Sequence, residues 1–483
     1  MLAPSIVMSK KRLLLSISSF WIAQNAMAVG FMINPTSHAT GIANAGSTVY
    51  DHSTAAISNN PAAMSLMHKK QIGGNFSLLV PDWTVNEEWD CAAEGNCARS
   101  NVAPIAAIST IGLIRPMDNE FTWGVGLGAI AGAGLDYGLR FKTRPIITEN
   151  KLQVVELMNS ISWRMDEKWT FGVGVGVLHG SFVQKQDMPS INDTALDDLT
   201  NAVAFAGLVA DRACGDLVRP AAKVACIQTA ADDAGVDPVS TAANIDSLKS
   251  YVNGASGTTV DLEGDDIGAE LTLGTTFEFL PGQRLGMAYH YLTDFTFEGT
   301  ATITGQLLSS ETYQKQHTSL TWDMPERLVM SGSHRINNDL NLYWDIERVF
   351  FGSFKSTDLR IDGYHTFKID RNFKDANRYA LGAEYGLDEK TTLQLGFSYD
   401  ESPVDDGDRM ADIPVDDIFK TAFGAIYQVN EQFNIHGYAS LEFLGDAQIA
   451  QLASINGTKI GKSVKMNSDT TLYVFGVSFG YAF

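Results

Sequence analysis

Thr471-Leu472-Tyr473-Val474-Phe475-Gly476-Val477-Ser478-Phe479-Gly480-Tyr481-Ala482-Phe483 ends the chain, and its reading decides the fold. The odd positions from Tyr473 to Phe483 are aromatic or Val. The even positions from Gly476 onward are Gly, Ser, Gly and Ala. A repeat of two residues is that of a β-strand, whose successive side chains point to opposite faces. The same alternation runs through Leu393–Tyr399, with Gln394, Gly396 and Ser398 on the second face. It runs through Phe433–Phe443, with Asn434, His436, Tyr438, Ser440 and Glu442 there. Leu285–Phe297 repeats it against Arg284, His290, Asp294 and Glu298.

A soluble sandwich would turn such apolar faces inward, and a membrane barrel turns them outward to lipid. Three features favour the barrel. The segments are about ten residues or longer, as a tilted membrane strand requires. Phe and Tyr gather near strand ends, as aromatic girdles do. Short turns at 166–168, 281–283, 337–339, 388–390 and 430–432 alternate with long polar connections. Strand cores fall near 70–80, 103–115, 121–135, 151–165, 169–185, 267–280, 284–301, 317–335, 339–355, 377–387, 391–402, 417–428, 432–446 and 469–483. The expectation is an all-β transmembrane antiparallel barrel of about 14 strands over residues 70–483.

Composition excludes much else. The 483 residues carry a net charge of −21 and are 45% hydrophobic, with 43 glycines and 25 phenylalanines. A polytopic helical membrane protein needs several apolar runs of about 20 residues, and one short run is present, at the N-terminus. The acidic balance excludes nucleic acid as a partner. Residues 1–28 read as an export signal: Lys10, Lys11 and Arg12, then an apolar core from Leu13 to Ile22, then Ala26-Met27-Ala28. Met8 is a possible alternative start. Cleavage after Ala28 moves the charge from −21 to −24. Export permits disulfides. Cys91 with Cys97 and Cys214 with Cys226 are the simplest of three pairings. No C-x-x-C spacing points to a metal.

Two regions lack the strand pattern. Residues 29–69 are small and polar, and could lie in the periplasm or fill the lumen as a plug. They cannot face lipid, where irregular backbone goes unsatisfied. Residues 186–266 are Ala-rich and acidic, with a helical stripe at Leu196, Leu199, Val203 and Ala206. They read as one long, partly helical external loop stapled by Cys214 and Cys226. Enzyme motifs are absent: no H-E-x-x-H, P-loop or G-x-S-x-G occurs. Asp405-Asp406-Gly407-Asp408 reads as a solvated acidic loop or a calcium loop.

Several stretches carry a family resemblance: Val29-Gly30-Phe31, Asn59-Asn60-Pro61-Ala62, Leu320 to Glu326, Phe373 to Arg378, Tyr399 to Val404, and Gly480 to Phe483. In this order they resemble the long-chain fatty acid transporter family (FadL) of outer-membrane proteins, which includes transporters of aromatic hydrocarbons. The resemblance implies a monomeric barrel in the bacterial outer membrane, among lipid and lipopolysaccharide. It implies residues 29–69 as a hatch, with Asn60, Pro61 and Ala62 as its motif. It implies passive uptake of a long-chain fatty acid or other hydrophobic compound, without a cofactor or metal. The route would run through an apolar interior pocket and out sideways at a kinked third strand. Phe31 would contact the interior site. The third strand carries Gly124, Gly126, Gly128, Gly132 and Gly134, expected on one face, where glycine tolerates a kink. Family members place basic side chains inside the barrel for the carboxylate. Lys368, or its neighbour Ile369, and Arg378 are the candidates here. On the fifth strand, His179 and Gly180 stand where the family has an Arg.

Overall fold

The structure, a computed structural model, describes residues 38–87, 98–138, 147–188, 258–304, 313–362, 367–455 and 458–483. The export segment, Phe31, all four cysteines and residues 189–257 lie outside the described residues.

Fourteen antiparallel staves follow in chain order. β1 (Gln71–Glu87) is the first, and β2 (Ala98–Ser100) with β3 (Ala106–Pro116) the second. β4 (Phe121–Asp136), β5 (Glu149–Arg164), β6 (Trp169–Met188) and β7 (Thr258–Leu280) are the next four. β8 (Gln283–Leu292) with β9 (Phe295–Thr304) is the seventh, and β10 (Tyr313–Trp322) with β11 (Arg327–Arg335) the eighth. β12 (Leu340–Val349) with β13 (Ser356–Ile361) is the ninth, and β14 (Phe367–Asp370) with β15 (Ala376–Gly386) the tenth. β16 (Thr391–Asp400), β17 (Ile418–Gln428), β18 (Phe433–Ile455) and β19 (Thr458–Ala482) complete the wall. All of β1 pairs with β19, from Gln71↔Ala482 to Glu87↔Met466, and closes the barrel. Closure joins the first and last staves, so neither end of the sheet is left open to lipid. The strands outrun the expected loop limits. β6 and β7 stay paired up to Met188↔Thr258, so the excursion after β6 is shorter than residues 186–266.

Each wall strand sorts its side chains by parity. On β6, Phe171, Val173, Val175 and Val177 are exposed on the outer face, while Gly172, Gly174, Gly176 and Leu178 are buried inside. On β19, Tyr473, Phe475, Val477, Phe479 and Tyr481 face out. An exposed apolar band of this extent has no place in water and fits lipid. Five short turns share one lock. Asp118, Asp166, Asn337, Asp388 and Asn430 each accept two backbone N–H bonds from the residues two and three further on. Such side-chain turns bring two strands back antiparallel with few residues. At Asp166 and Asp388 those N–H groups hold the carboxyl below the usual carboxylate range.

The short-turn end of the lumen is filled by His38–Met67. This segment holds two 3-10 turns, His38–Ile42 and Pro61–Leu66, and one helical turn, Ala56–Asn59. Above it lies a buried apolar cluster built from the long-loop ends of most staves, including Trp83, Leu152, Phe182, Phe295, Phe297, Trp322, Phe354 and Phe373.

Candidate functional site

The lumen segment His38–Met67, called the hatch below for its position alone, is seated by backbone polar groups that the wall must satisfy, because it has too little regular structure to satisfy them itself. Asn60 holds it at one point. Its Oδ1 accepts from Ala62 N at 3.1 Å, and its Nδ2 donates to Thr48 O at 2.7 Å and to Thr275 O of β7 at 3.1 Å. Pro61 starts the following turn, where its missing N–H costs nothing. The Asn60-Pro61-Ala62 motif is thus a cap that also ties the hatch to the wall. Other ties are Thr170 to Ala62 O, Ser160 to Ile57 O and Ser65 to Ser162. Gly172 and Gly396 are required by close approach. A Cβ on Gly172 would fall 2.2 Å from Ala62 N, and one on Gly396 2.1 Å from the carbonyl carbon of Ile42.

A charged layer crosses the lumen above the hatch. Arg378 is fully buried on β15. It faces Asp400 at 3.2 Å, Glu347 at 3.7 Å and Asp345 at 3.8 Å. Its Nη2 donates to Ala43 O of the hatch. Asp345 in turn accepts from Gly46 N at 2.7 Å and Ser47 N at 3.1 Å. Lys420–Glu442, Arg327–Glu347 and His290–Glu270 extend the layer. Arg378 therefore pins the 43–47 turn and already has its anions. Lys368 lies on β14 opposite Asp358, with its side chain exposed. The two candidates do not share a site. On β6, His179 is on the outer face, and the inward position is Gly180, packed against the rings of Phe295 and Phe297.

A third basic residue sits inside the apolar cluster. Arg371, between β14 and β15, is 1% exposed. Its guanidinium lies over the rings of Trp322 at 5.5 Å and Phe354 at 5.6 Å. Its Nε donates to Thr357 Oγ1 at 3.0 Å, and its Nη1 meets Asp412 Oδ2 at 2.6 Å. In the sequence it reads as one more loop charge, between Asp370 and Asn372. Neither periodicity nor a motif marks it, because its partner Asp412 lies beyond β15 and β16.

The third stave changes course. β3 and β4 pair only from Ile111↔Leu127 to Pro116↔Thr122. A bulge at Ile130 breaks the register with β5 between Ala129 and Ala131. Beyond it, Ala129 to Leu135 are buried on both faces while still paired with β5. One backbone bond, Asp136 N to Val102 O at 2.7 Å, bridges the far end. The bulge also corrects the expected glycine face. Gly124, Gly126 and Gly128 point inward, two of them against Ile57 of the hatch. An extra residue inverts parity, so Gly132, opposite Gln153, and Gly134, opposite Lys151, point the other way.

The acidic loop gives no cation site. Asp406 pairs with Arg409, Asp405 with Lys374, and Asp408 accepts from Asn372. The nearby cavity of about 630 Å³ is lined mostly by charged groups, a poor match for an alkyl chain.

Comparison with known proteins agrees with this architecture. Residues 19–483 match the family model described as outer membrane protein transport protein (OMPP1/FadL/TodX). The long-chain fatty acid transport protein of Escherichia coli O6:H1 (strain CFT073) is 22% identical over 97% of this chain and 98% of its own. The crystal structure of a Pseudomonas aeruginosa FadL homologue superposes with a TM-score of 0.73 at 18% identity, covering 94% of this chain and all of that one. The Pseudomonas putida toluene transporter TodX gives 0.65 at 16% identity, over 94% of this chain and all of that one. With its closed fourteen-strand wall and its match along nearly the whole length, the chain belongs to the OMPP1/FadL/TodX family: it is an outer-membrane transport protein for hydrophobic compounds, not an enzyme.

Proposed function

We propose that this protein takes up long-chain fatty acids by passive transfer from the outer surface, through the apolar chamber, and sideways into the membrane between β3 and β4. One observation carries the reading. The apolar cluster is continuous with the place where the β3–β4 ladder stops, through Ala106, Ile108, Ala129, Ile130 and Ala131. An alkyl chain gains about 0.8 kcal/mol for each CH₂ removed from water. An apolar interior that reaches this break therefore supports a downhill path that an aqueous pore lacks. The hatch and the charged layer block the straight path to the short-turn end. The likeness to the fatty acid transport protein supports the ligand class.

Aromatic hydrocarbon uptake is the second reading. It is favoured by Gly180 and the rings of Phe295 and Phe297, where a cation from β6 is missing.

The test is uptake of labelled oleate and of toluene in a strain lacking its own transporter. Gly128→Phe is the variant, since a Cβ there already lies 3.0 Å from Thr110 Cγ2 across the gap. At equal surface level, uptake of the transported compound should drop about tenfold, equivalent to about 1.4 kcal/mol of added barrier. Unchanged uptake in the variant rules out the sideways exit. Toluene uptake without oleate uptake selects the second reading.

A further inference from the structure

The excursion between β16 and β17 springs from the eleventh and twelfth staves, yet it touches the third and fourth, on the opposite side of a ring of fourteen. Tyr137 Oη, one residue beyond β4, donates to Ala411 O at 2.7 Å. Asn150 Nδ2 of β5 donates to Asp412 O at 2.9 Å. Residues 409–415 therefore cross the lumen at its long-loop end. Met410 and Ile413 form a small bridge within the crossing. Ala411, Ile413 and Val415 are buried as part of the apolar cluster.

The two ends of the crossing are held differently. On its own side, buried Arg409 donates from Nε to Val415 O at 2.7 Å, from Nη2 to Asp416 Oδ1 at 3.1 Å and from Nη1 to Gln448 O of β18 at 3.1 Å. At the far side Tyr137 and Asn150 hold it through neutral bonds, which are weaker than charge-assisted ones. What they hold it to is a length of wall with one ladder neighbour. Residues 129–136 of β4 pair with β5, whereas the ladder with β3 has ended at Ile111↔Leu127. Tyr137 stands at the end of that length, with its own N–H bonded to Thr148 O at 2.8 Å.

We propose that residues 409–415 are a strap latched onto the third stave by Tyr137, and that release of this latch both opens the outer mouth of the lumen and loosens residues 129–136 of β4. Tyr137 is thus a positioning residue, acting on transport through the strap and not by touching the transported compound. The inference rests on the sideways-exit reading and adds its regulation: one two-state element biases entry from outside and exit between β3 and β4. Such a coupling is reciprocal, so whatever lifts the strap loosens the stave, and the converse.

The test reads amide hydrogen exchange on the full-length protein in lipid nanodiscs, and uptake in cells. Tyr137→Phe keeps the ring and removes the hydroxyl. It should speed exchange about fivefold, as for loss of one neutral hydrogen bond, in residues 129–136 and 409–415 alike. Ile413→Ser loosens the strap from its own side, and its effect should also reach 129–136 across the lumen. The double variant should speed exchange by less than the product of the two single effects, because both act on one latch. Initial uptake of labelled oleate or toluene, whichever the wild type carries, should rise in Tyr137→Phe at equal surface level. Acceleration confined to the segment that carries the substitution overturns the latch, as do effects that multiply in the double variant. So does unchanged uptake while both segments are loosened. The exit reading fails separately: if Tyr137→Phe raises uptake while Gly128→Phe leaves it at the wild-type level, the strap stands as a gate of the mouth and the sideways exit is retired.

Discussion

The tenth stave carries two buried arginines, and they face different halves of the lumen. Arg378, on β15, looks toward the hatch, with three carboxylates and a hatch carbonyl around it. Arg371, in the break between β14 and β15, lies in the apolar cluster, with one half-used carboxylate and two aromatic faces. The half near the short turns is built from polar groups that satisfy one another, and it holds a segment still. The half near the long loops is built from apolar side chains packed around one cation that lies over two rings. The same residue type fastens a segment in one half and is held among aromatic rings in the other.

Removing the fastener should have the largest effect. Arg378→Met leaves Asp345, Glu347 and Asp400 buried without their shared cation. An uncompensated buried charge costs about 3–5 kcal/mol. We expect a lower unfolding temperature and protease cleavage within residues 38–67 while the barrel persists. Arg371→Met should lower stability less, since only Asp412 is left unpaired and its excursion can move to water. Equal losses in the two variants would break the distinction between the halves.

Glycines sharpen the same contrast at smaller cost. Gly396→Ala puts a Cβ against the backbone of Ile42, which cannot rotate away. Overpacking of this kind costs about 1–3 kcal/mol. Gly180→Ala puts its Cβ 2.7 Å from Cε1 of Phe297, the edge of a ring that can turn. Thermal unfolding of the purified proteins should therefore show a clear drop for Gly396→Ala and a smaller one for Gly180→Ala. The reverse order would mean that the chamber, not the hatch seat, is the more tightly packed half.

Most of the fold is legible in the sequence because parity is a local property. Thr471–Phe483 and Phe433–Phe443 show their outer faces without any knowledge of their neighbours. The short turns are legible for the same reason, since Asp166 or Asn430 closes its own loop. Parity fails where one residue is added. Gly132 and Gly134 look like a continuation of Gly124–Gly128, and only pairing with β5 shows that Ile130 inverts them. The inward glycines of β6 look like generic small residues until the hatch backbone is found against Gly172. Charge is the least legible property. Lys368, Arg371 and Arg378 stand close together in the sequence, yet one is exposed, one lies among rings and one fastens the hatch. Burial of each depends on chain that arrives from elsewhere: residues 43–47 for Arg378 and 409–415 for Arg371.

The smallest expected effect concerns the grip of the hatch at its first described turn. His38 is buried against the wall. Its Nε2 lies 3.0 Å from Asn434 Oδ1, its ring stacks on His436 at 5.4 Å, and its carbonyl accepts from Gln394 Nε2. Burial lowers its pKa from 6.5 to about 4, against the opposing pull of the Asn434 bond. Docked His38 is therefore neutral at pH 7, and a released His38 regains its ordinary value. The sign follows from linkage. The released state binds the proton more readily, so docking is fully favourable above about pH 6.5 and weakens as pH falls toward about 4. One proton permits at most a tenfold rise in the released fraction per pH unit. Hydrogen exchange within residues 38–42 should accelerate between pH 7 and 5, after correction for intrinsic rates, and His38→Gln should flatten the profile while keeping a bond to Asn434. Amides in 409–415, which lack a buried His, should show no such slope in either protein. If residues 38–42 are equally flat in wild type and variant, His38 never leaves the wall in this range, and the fastened half of the lumen is more rigid than its hydrogen bonds alone require.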